Sequence, residues 1–205
     1  MSKIRVRCLL LVINADIRPV YEIEPSLKAE AESLMRELIG HFRQLPNSIH
    51  WPQKDQEALF LGFLAEKVID MALNQLKIPH IWNHPLICRE RLKRRQTDSK
   101  NGDFVVNGLH IDIKTCLNQK NEKFFINEAR FLRNPADIYL FLEFNKRLTR
   151  AKIIGWLWRE EVKGFSIRNL KFGRAISVPK ESLRPFSELI EVFQSENSRI
   201  RPKLP

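Results

Sequence analysis

Apolar positions along this chain recur with two periods. Over 25–45, Leu27, Leu34, Leu38, Ile39 and Phe42 lie on one side of a 3.6-residue repeat. Over 54–76, Leu61, Leu64, Val68, Met71 and Leu76 do the same, so both stretches are predicted helices. Pro46-Asn47-Ser48 closes the first, and the turn-rich stretch Pro79 to Pro85 follows the second. Residues 3–13 read as a strand, and a short strand is predicted near Leu86 to Cys88. The nearly unbroken apolar run DIYLFLEF at 137–144 suits a central strand covered on both faces, and AKIIGWLW at 151–158 suits the next one. A helix is expected at Lys123 to Leu132, ending near Asn134-Pro135, then a strand near Ala175 to Val178 and a helix near Pro185 to Gln194.

The clearest local signal is GDFVVNGLHIDIKT, residues 102–115. Asn107-Gly108 suits a two-residue hairpin turn because both positions of a type I′ turn need φ > 0. Pairing Val106 with Leu109 sets Val105 against His110, Phe104 against Ile111, and Asp103 against Asp112. Asp103, Val105, His110, Asp112 and Lys114 then share one face, with Phe104, Val106, Leu109, Ile111 and Ile113 on the other. Two carboxylates with Cβ atoms about 5 Å apart repel, so a positive charge is expected between them. A hard divalent cation such as Mg²⁺, completed by phosphate and water, is one solution. The other is a structural pair at a sheet edge, neutralised by Lys114 and other basic groups.

Asp103 followed on the next strand by Asp112-Ile113-Lys114 resembles the PD-(D/E)XK nuclease superfamily, with Gly102 where a proline often stands. The resemblance implies an α/β, restriction-endonuclease-like mixed central sheet flanked by helices, and the order helix, three strands, helix, strand over 54–144 matches it. It also implies that Asp103, Asp112 and the backbone carbonyl of Ile113 bind Mg²⁺, with Mn²⁺ a possible substitute, and that Lys114 orients or helps deprotonate the attacking water. Members of the family carry a further glutamate on the preceding helix. Glu66 is the candidate here and Glu57 its competitor; Gly62 on the same helix suggests close approach of another element. The expected organisation is an N-terminal strand–helix extension at 1–50 packed on the core, a nuclease-like core at 51–195, and a basic disordered tail at 196–205.

Charge narrows the partners. Lys and Arg exceed Asp and Glu by 35 − 24 = 11, which favours a polyanion, most simply nucleic acid. The run Arg89, Arg91, Lys93, Arg94, Arg95 and Lys100 precedes Asp103 and suits phosphate contacts; Lys146, Arg147, Arg150 and Lys152 form a second, weaker group. Three cysteines without a C-x-x-C pair support neither a disulfide framework nor a zinc ribbon, and His80 and His84 lack partners for a tetrahedral site. His110 falls beside Asp112 on the charged face and could touch phosphate or move a proton, though it equally suits a polar structural position. Trp156 and Trp158 could stack bases, as could Trp51 or Trp82, but packing is the commoner use. Cys116 has no recognisable histidine partner for nucleophilic chemistry. The apolar run Cys8 to Ile13 is too short for a membrane span and no A-x-A-like cleavage site follows it.

Together these features predict a Mg²⁺-dependent DNA endonuclease, type II restriction-like, acting as a homodimer in the cytoplasm without membrane association. The alternatives are a junction-resolving, homing or transposon-end nuclease of the same fold, and a non-catalytic nucleic-acid-binding protein on an inactive nuclease scaffold.

Overall fold

A seven-stranded mixed sheet organises the chain, with helices on one face and a second, three-stranded sheet on the other. The computed structural model describes residues 8–9, 19–43, 53–83, 102–117, 122–133, 136–171 and 173–195. In chain order these form β1 (Cys8–Leu9), β2 (Val20–Glu22), α1 (Pro25–Arg43), α2 (Gln53–Gln75), β3 (Ile81–Trp82), β4 (Phe104–Val106) and β5 (Leu109–Leu117). They continue with β6 (Lys123–Asn127), α3 (Glu128–Arg133), β7 (Ile138–Phe144), β8 (Arg150–Trp158), α4 (Arg159–Lys163), β9 (Ile167–Leu170), β10 (Gly173–Pro179) and α5 (Phe186–Gln194). The large sheet runs β1-β2-β8-β7-β5-β4-β3, and β5 with β7 is its parallel pair. The small sheet runs β6-β10-β9.

Strand β7 is buried at every position because it lies between two cores. Ile138, Leu140, Leu142 and Phe144 face α1, α2 and α5, packing with Leu64, Val68, Leu73 and Phe186. Tyr139 and Phe141 face the small sheet and pack with Phe124, Ile126, Ile176 and Val178. Trp156 and Trp158 both belong to the first core, edge to face at 5.2 Å, so packing is their role. The N-terminal strand–helix segment is continuous with this architecture, since β2 pairs with β8 inside the large sheet.

Several expectations need correction. The helix expected at Lys123 to Leu132 is a strand over Lys123–Asn127 and a short helix over Glu128–Arg133. Phe124 and Ile126 are buried while Phe125 is exposed, a period of two that lets the segment pair with β10. Leu76, assigned to the apolar side of its helix, lies just past the end of α2 and is 40% exposed. Gly62 marks no close approach, because a Cβ there would meet nothing within 4 Å. The turn-rich connection after α2 contains β3, and β9 and α4 were not foreseen. The strand near 86–88, the basic run Arg89, Arg91, Lys93, Arg94, Arg95 and Lys100, Trp51, His84 and the tail 196–205 lie outside the described residues, as does most of the 3–13 strand.

Candidate active site at the start of strand β5

The hairpin register is the one the Asn107-Gly108 turn dictates. Phe104 pairs with Ile111, Val105 with His110 and Val106 with Leu109, while Asn107 and Gly108 have φ of 49° and 80°. The ladder then stops one residue short of the expected Asp103–Asp112 opposition. Gly102 has φ 66°, and a Cβ there would sit 2.6 Å from the Ile111 carbonyl oxygen. Proline, locked near φ −65°, cannot take that conformation, which explains why glycine stands here.

Asp103 is consequently pinned by backbone contacts on both sides. Its N–H donates to Ile111 O at 2.7 Å and its carbonyl accepts from Asn83 N–H at 2.9 Å. The Asn83 side-chain amide donates to Gly102 O at 3.3 Å. The Asp103 carboxylate takes over where a ladder carbonyl would have been, with Oδ2 accepting the Ile113 N–H at 2.7 Å. In a strand the N–H and C=O of one residue point the same way, so the Ile113 carbonyl is directed to the Asp103 side of β5.

Along its other edge β5 pairs with β7, which sets Asp112 level with Tyr139 and Lys114 level with Phe141 on the face turned to the small sheet. Asp112 is buried, and its Oδ2 is in ion contact with the Lys114 ammonium without a hydrogen bond of good geometry. Lys114 Nζ also stands 5.8 Å from the centre of the Tyr139 ring. Tyr139 is fully buried; that burial, and then the Asp112 carboxylate, push its phenol well above the ordinary value, with Arg159 acting in the opposite direction. Arg159 reaches the Tyr139 hydroxyl at 3.4 Å, donates to Phe131 O at 2.7 Å and lies over the Phe131 ring at 4.4 Å.

The charged face continues along β5 to Cys116, which is paired across β7 with Glu143. Burial first, and then Glu143, raise the Cys116 thiol to about 11. Glu143 is itself buried and ion-paired to Lys180. A protonated thiol beside a carboxylate is a poor nucleophile, so Cys116 is structural here.

Glu66 is buried rather than at an exposed boundary, and its Oε2 accepts the Trp82 indole N–H at 2.8 Å. Trp82 stacks on Phe104 at 6.2 Å, which puts this contact on the α2 side of the sheet, across from Asp112 and Lys114. Glu57 is exposed. His110 is half-buried; its backbone N–H donates to Asp137 Oδ2 at 3.0 Å and its carbonyl accepts from Asp137 N–H at 2.8 Å. His80 bridges Ile78 O and Asp70 Oδ1 at 2.9 and 3.0 Å, a local tie between the end of α2 and the chain that follows.

Sequence reasoning missed Asn83, Tyr139 and Arg159. Asn83 lies far from the motif in sequence, Tyr139 is hidden in an apolar run, and Arg159 begins an ordinary charged helix. The signal that would have found Tyr139 is the parallel pairing of β5 with β7, which no local pattern carries.

Among the described residues no three His, Cys, Asp or Glu side chains cluster as a metal site. The donor set available is thinner, namely the carboxylates of Asp103 and Asp112 and the Ile113 carbonyl. It fits a hard cation that keeps waters and takes further oxygen from phosphate, and the buried, poorly bonded Asp112 Oδ2 is an oxygen such a cation would satisfy. Comparison with known proteins gives no matching family model and no matching curated sequence. No helix among the described residues is long and apolar enough to cross a membrane.

Proposed function

We propose that this chain is a metal-dependent DNA endonuclease with a restriction-endonuclease-like fold, type II restriction-like in its chemistry and working as a homodimer. The observation that carries the reading is the convergence on β5: Asp103 holds the Ile113 N–H where the β4 ladder ends, and Asp112 and Lys114 flank that same residue. Asp103, Asp112 and the Ile113 carbonyl would hold Mg²⁺, with Mn²⁺ able to replace it. When bound, the ion supplies Lewis-acid activation of water and neutralises charge developing on the scissile phosphate.

The residues of the chain divide the remaining work. Asp103 fixes the spacing between β4 and the Ile113 backbone. Asp112 holds the Lys114 ammonium in the site, where it would orient the attacking water by donating to its oxygen. Tyr139 walls the site and keeps the ion pair partly dry, which strengthens each charge interaction. Glu66 works from the opposite face of the sheet, where it accepts the Trp82 indole N–H and steadies the edge that carries β4. The excess of 35 basic over 24 acidic residues, including the run from Arg89 to Lys100, supplies attraction for the phosphate backbone.

The ion pair between Lys114 and Asp112 also suits a second reading, a non-catalytic DNA-binding protein in which the pair is only structural. Incubation with supercoiled, linear and branched DNA in Mg²⁺ or chelator separates the two. Nicking that requires Mg²⁺ and is lost in Asp103→Asn, Asp112→Asn and Lys114→Ala supports the nuclease; salt-sensitive binding without cleavage of any DNA form supports the second reading.

A further inference from the structure

We propose that the turn joining β7 to β8 is a second phosphate-backbone grip, separate from the site on β5. The inference rests on the DNA reading above. Lys146, Arg147 and Arg150 are exposed on this turn, and Lys152 follows on β8. Lys28 of α1 joins them, its ammonium donating to Arg147 O at 3.3 Å.

The turn is built to hold its shape. Asn145 Oδ1 accepts the N–H groups of Thr149 and Arg150 at 2.8 and 3.1 Å, and Asn145 Nδ2 donates to Thr149 Oγ1 at 2.8 Å. Leu148 takes φ 53°, an uncommon conformation for a leucine, and its side chain packs against the first core. Ile23 N–H donates to Thr149 O at 3.0 Å, tying the turn to the chain entering α1. A backbone this constrained spares the cost of ordering the loop on binding, leaving only that of its side chains.

Nearby carboxylates leave most of that charge available. Glu22 is the cross-strand partner of Arg150, and Glu143, the partner of Lys152, is already engaged by Lys180. The one large apolar residue of the turn, Leu148, points into the core, so the turn has no side chain to insert into lipid and does not suit a membrane surface.

Position fits a continuous strand of nucleic acid. Lys114 is level with Phe141, and Asn145 lies four residues further along β7, about 13 Å at about 3.3 Å per residue. That is about the axial length of four base-pair steps of about 3.4 Å, so a single duplex can span both positions.

The test is anisotropy of a labelled duplex, in chelator so that nothing is cut, from about 50 to about 200 mM salt. Compared are the parent, the double variant Lys146→Gln/Arg147→Gln, and each single change. The tip residues are exposed, and melting temperature checks the fold. Each phosphate interaction removed should lower the slope of log K against log salt by about 0.9 for a duplex, so the double variant should lose about 1.8 and bind about 60-fold more weakly at about 0.1 M salt. If the double variant fails to fold, the two singles carry the test at half that change. An unchanged slope with tight parent binding overturns this grip and leaves the DNA reading standing. A parent that binds no duplex overturns both, and a parent that instead binds phosphatidylserine vesicles assigns the turn to a membrane surface.

Discussion

Replacing Asp112 by asparagine separates the chemical role of this residue from its structural one. The change keeps the side-chain volume and removes one buried charge, leaving Lys114 without its carboxylate. Breaking a fully buried ion pair costs about 3–5 kcal/mol. Here the Lys114 side chain is 22% exposed against 9% for Asp112, so the ammonium can turn toward water, and the new amide oxygen can still accept from it. A cost of about 1–2 kcal/mol follows once that relief is counted. In a chain of 205 residues this lowers the melting temperature by about 2–8 °C. The fold and the basic surface survive, so DNA binding in chelator should match or exceed that of the parent, because a charge that repels phosphate is gone. Mg²⁺-dependent nicking, by contrast, should vanish. Melting and nicking measured on Asp112→Asn, Lys114→Met and the double variant complete a cycle in which the double change regains much of the lost stability and none of the cleavage. Parent-like nicking by Asp112→Asn would refute the site, and an unchanged melting temperature would refute the pairing energy.

Gly102→Ala should destabilise by about 1–3 kcal/mol from its positive φ alone, beyond the clash with Ile111 O, and urea titration of the variant measures it. Cys116, raised to about 11, should alkylate at pH 8 about 200-fold more slowly than a free thiol of pKa about 8.5, followed by mass spectrometry of its peptide. The same shift fixes a sign. The folded chain holds the thiol proton more tightly than the unfolded chain, so this contribution is intact below about pH 9.0 and is lost as pH rises to about 11; a urea midpoint that climbs over that window in the parent relative to Cys116→Ala contradicts it. Trp82→Phe removes the indole donor to Glu66 and should cost about 1–2 kcal/mol while Mg²⁺-dependent nicking falls only mildly, as it should in Glu66→Gln. Replacing Arg91, Lys93, Arg94 and Arg95 together by alanine should lower the salt slope of duplex binding by about 0.9 for each phosphate no longer neutralised, and an unchanged slope would remove that run from the interface.

What could be read in advance was whatever local chemistry decides. Asn107-Gly108 set a register that held to Phe104–Ile111, and the unbroken run at 137–144 marked the strand covered on both sides. Where the reading failed, the deciding interaction was distant. KFFIN became a strand because β10, some fifty residues on, offers it a partner. Asp103 turned from facing Asp112 to holding Ile113 because Gly102 takes a left-handed φ against Ile111. The stripe of Leu61, Leu64, Val68 and Met71 understates α2, which buries a broader face that includes Phe63, Ala65, Glu66 and Ile69. The charged face of β5 is covered in part by the small sheet, which no local pattern carries and which leaves Asp112 buried.

The hairpin turn has one further attachment, Asn107 Nδ2 donating at 2.5 Å to the carbonyl of Phe193 in α5, 86 residues away. A ribosome delivers the β4–β5 hairpin well before that helix. Until α5 has been added, only the pairing of Phe104–Val106 with Leu109–Ile111 and the contacts of the neighbouring strands can hold the hairpin. Helix α5 therefore fastens the hairpin only after β7, β8 and β10 have been made. Asn107→Gly, which removes the latch but keeps the positive φ and leaves the buried Phe186, Leu189 and Phe193 of α5 in place, should raise amide exchange at Leu109 and His110 ahead of exchange in β7.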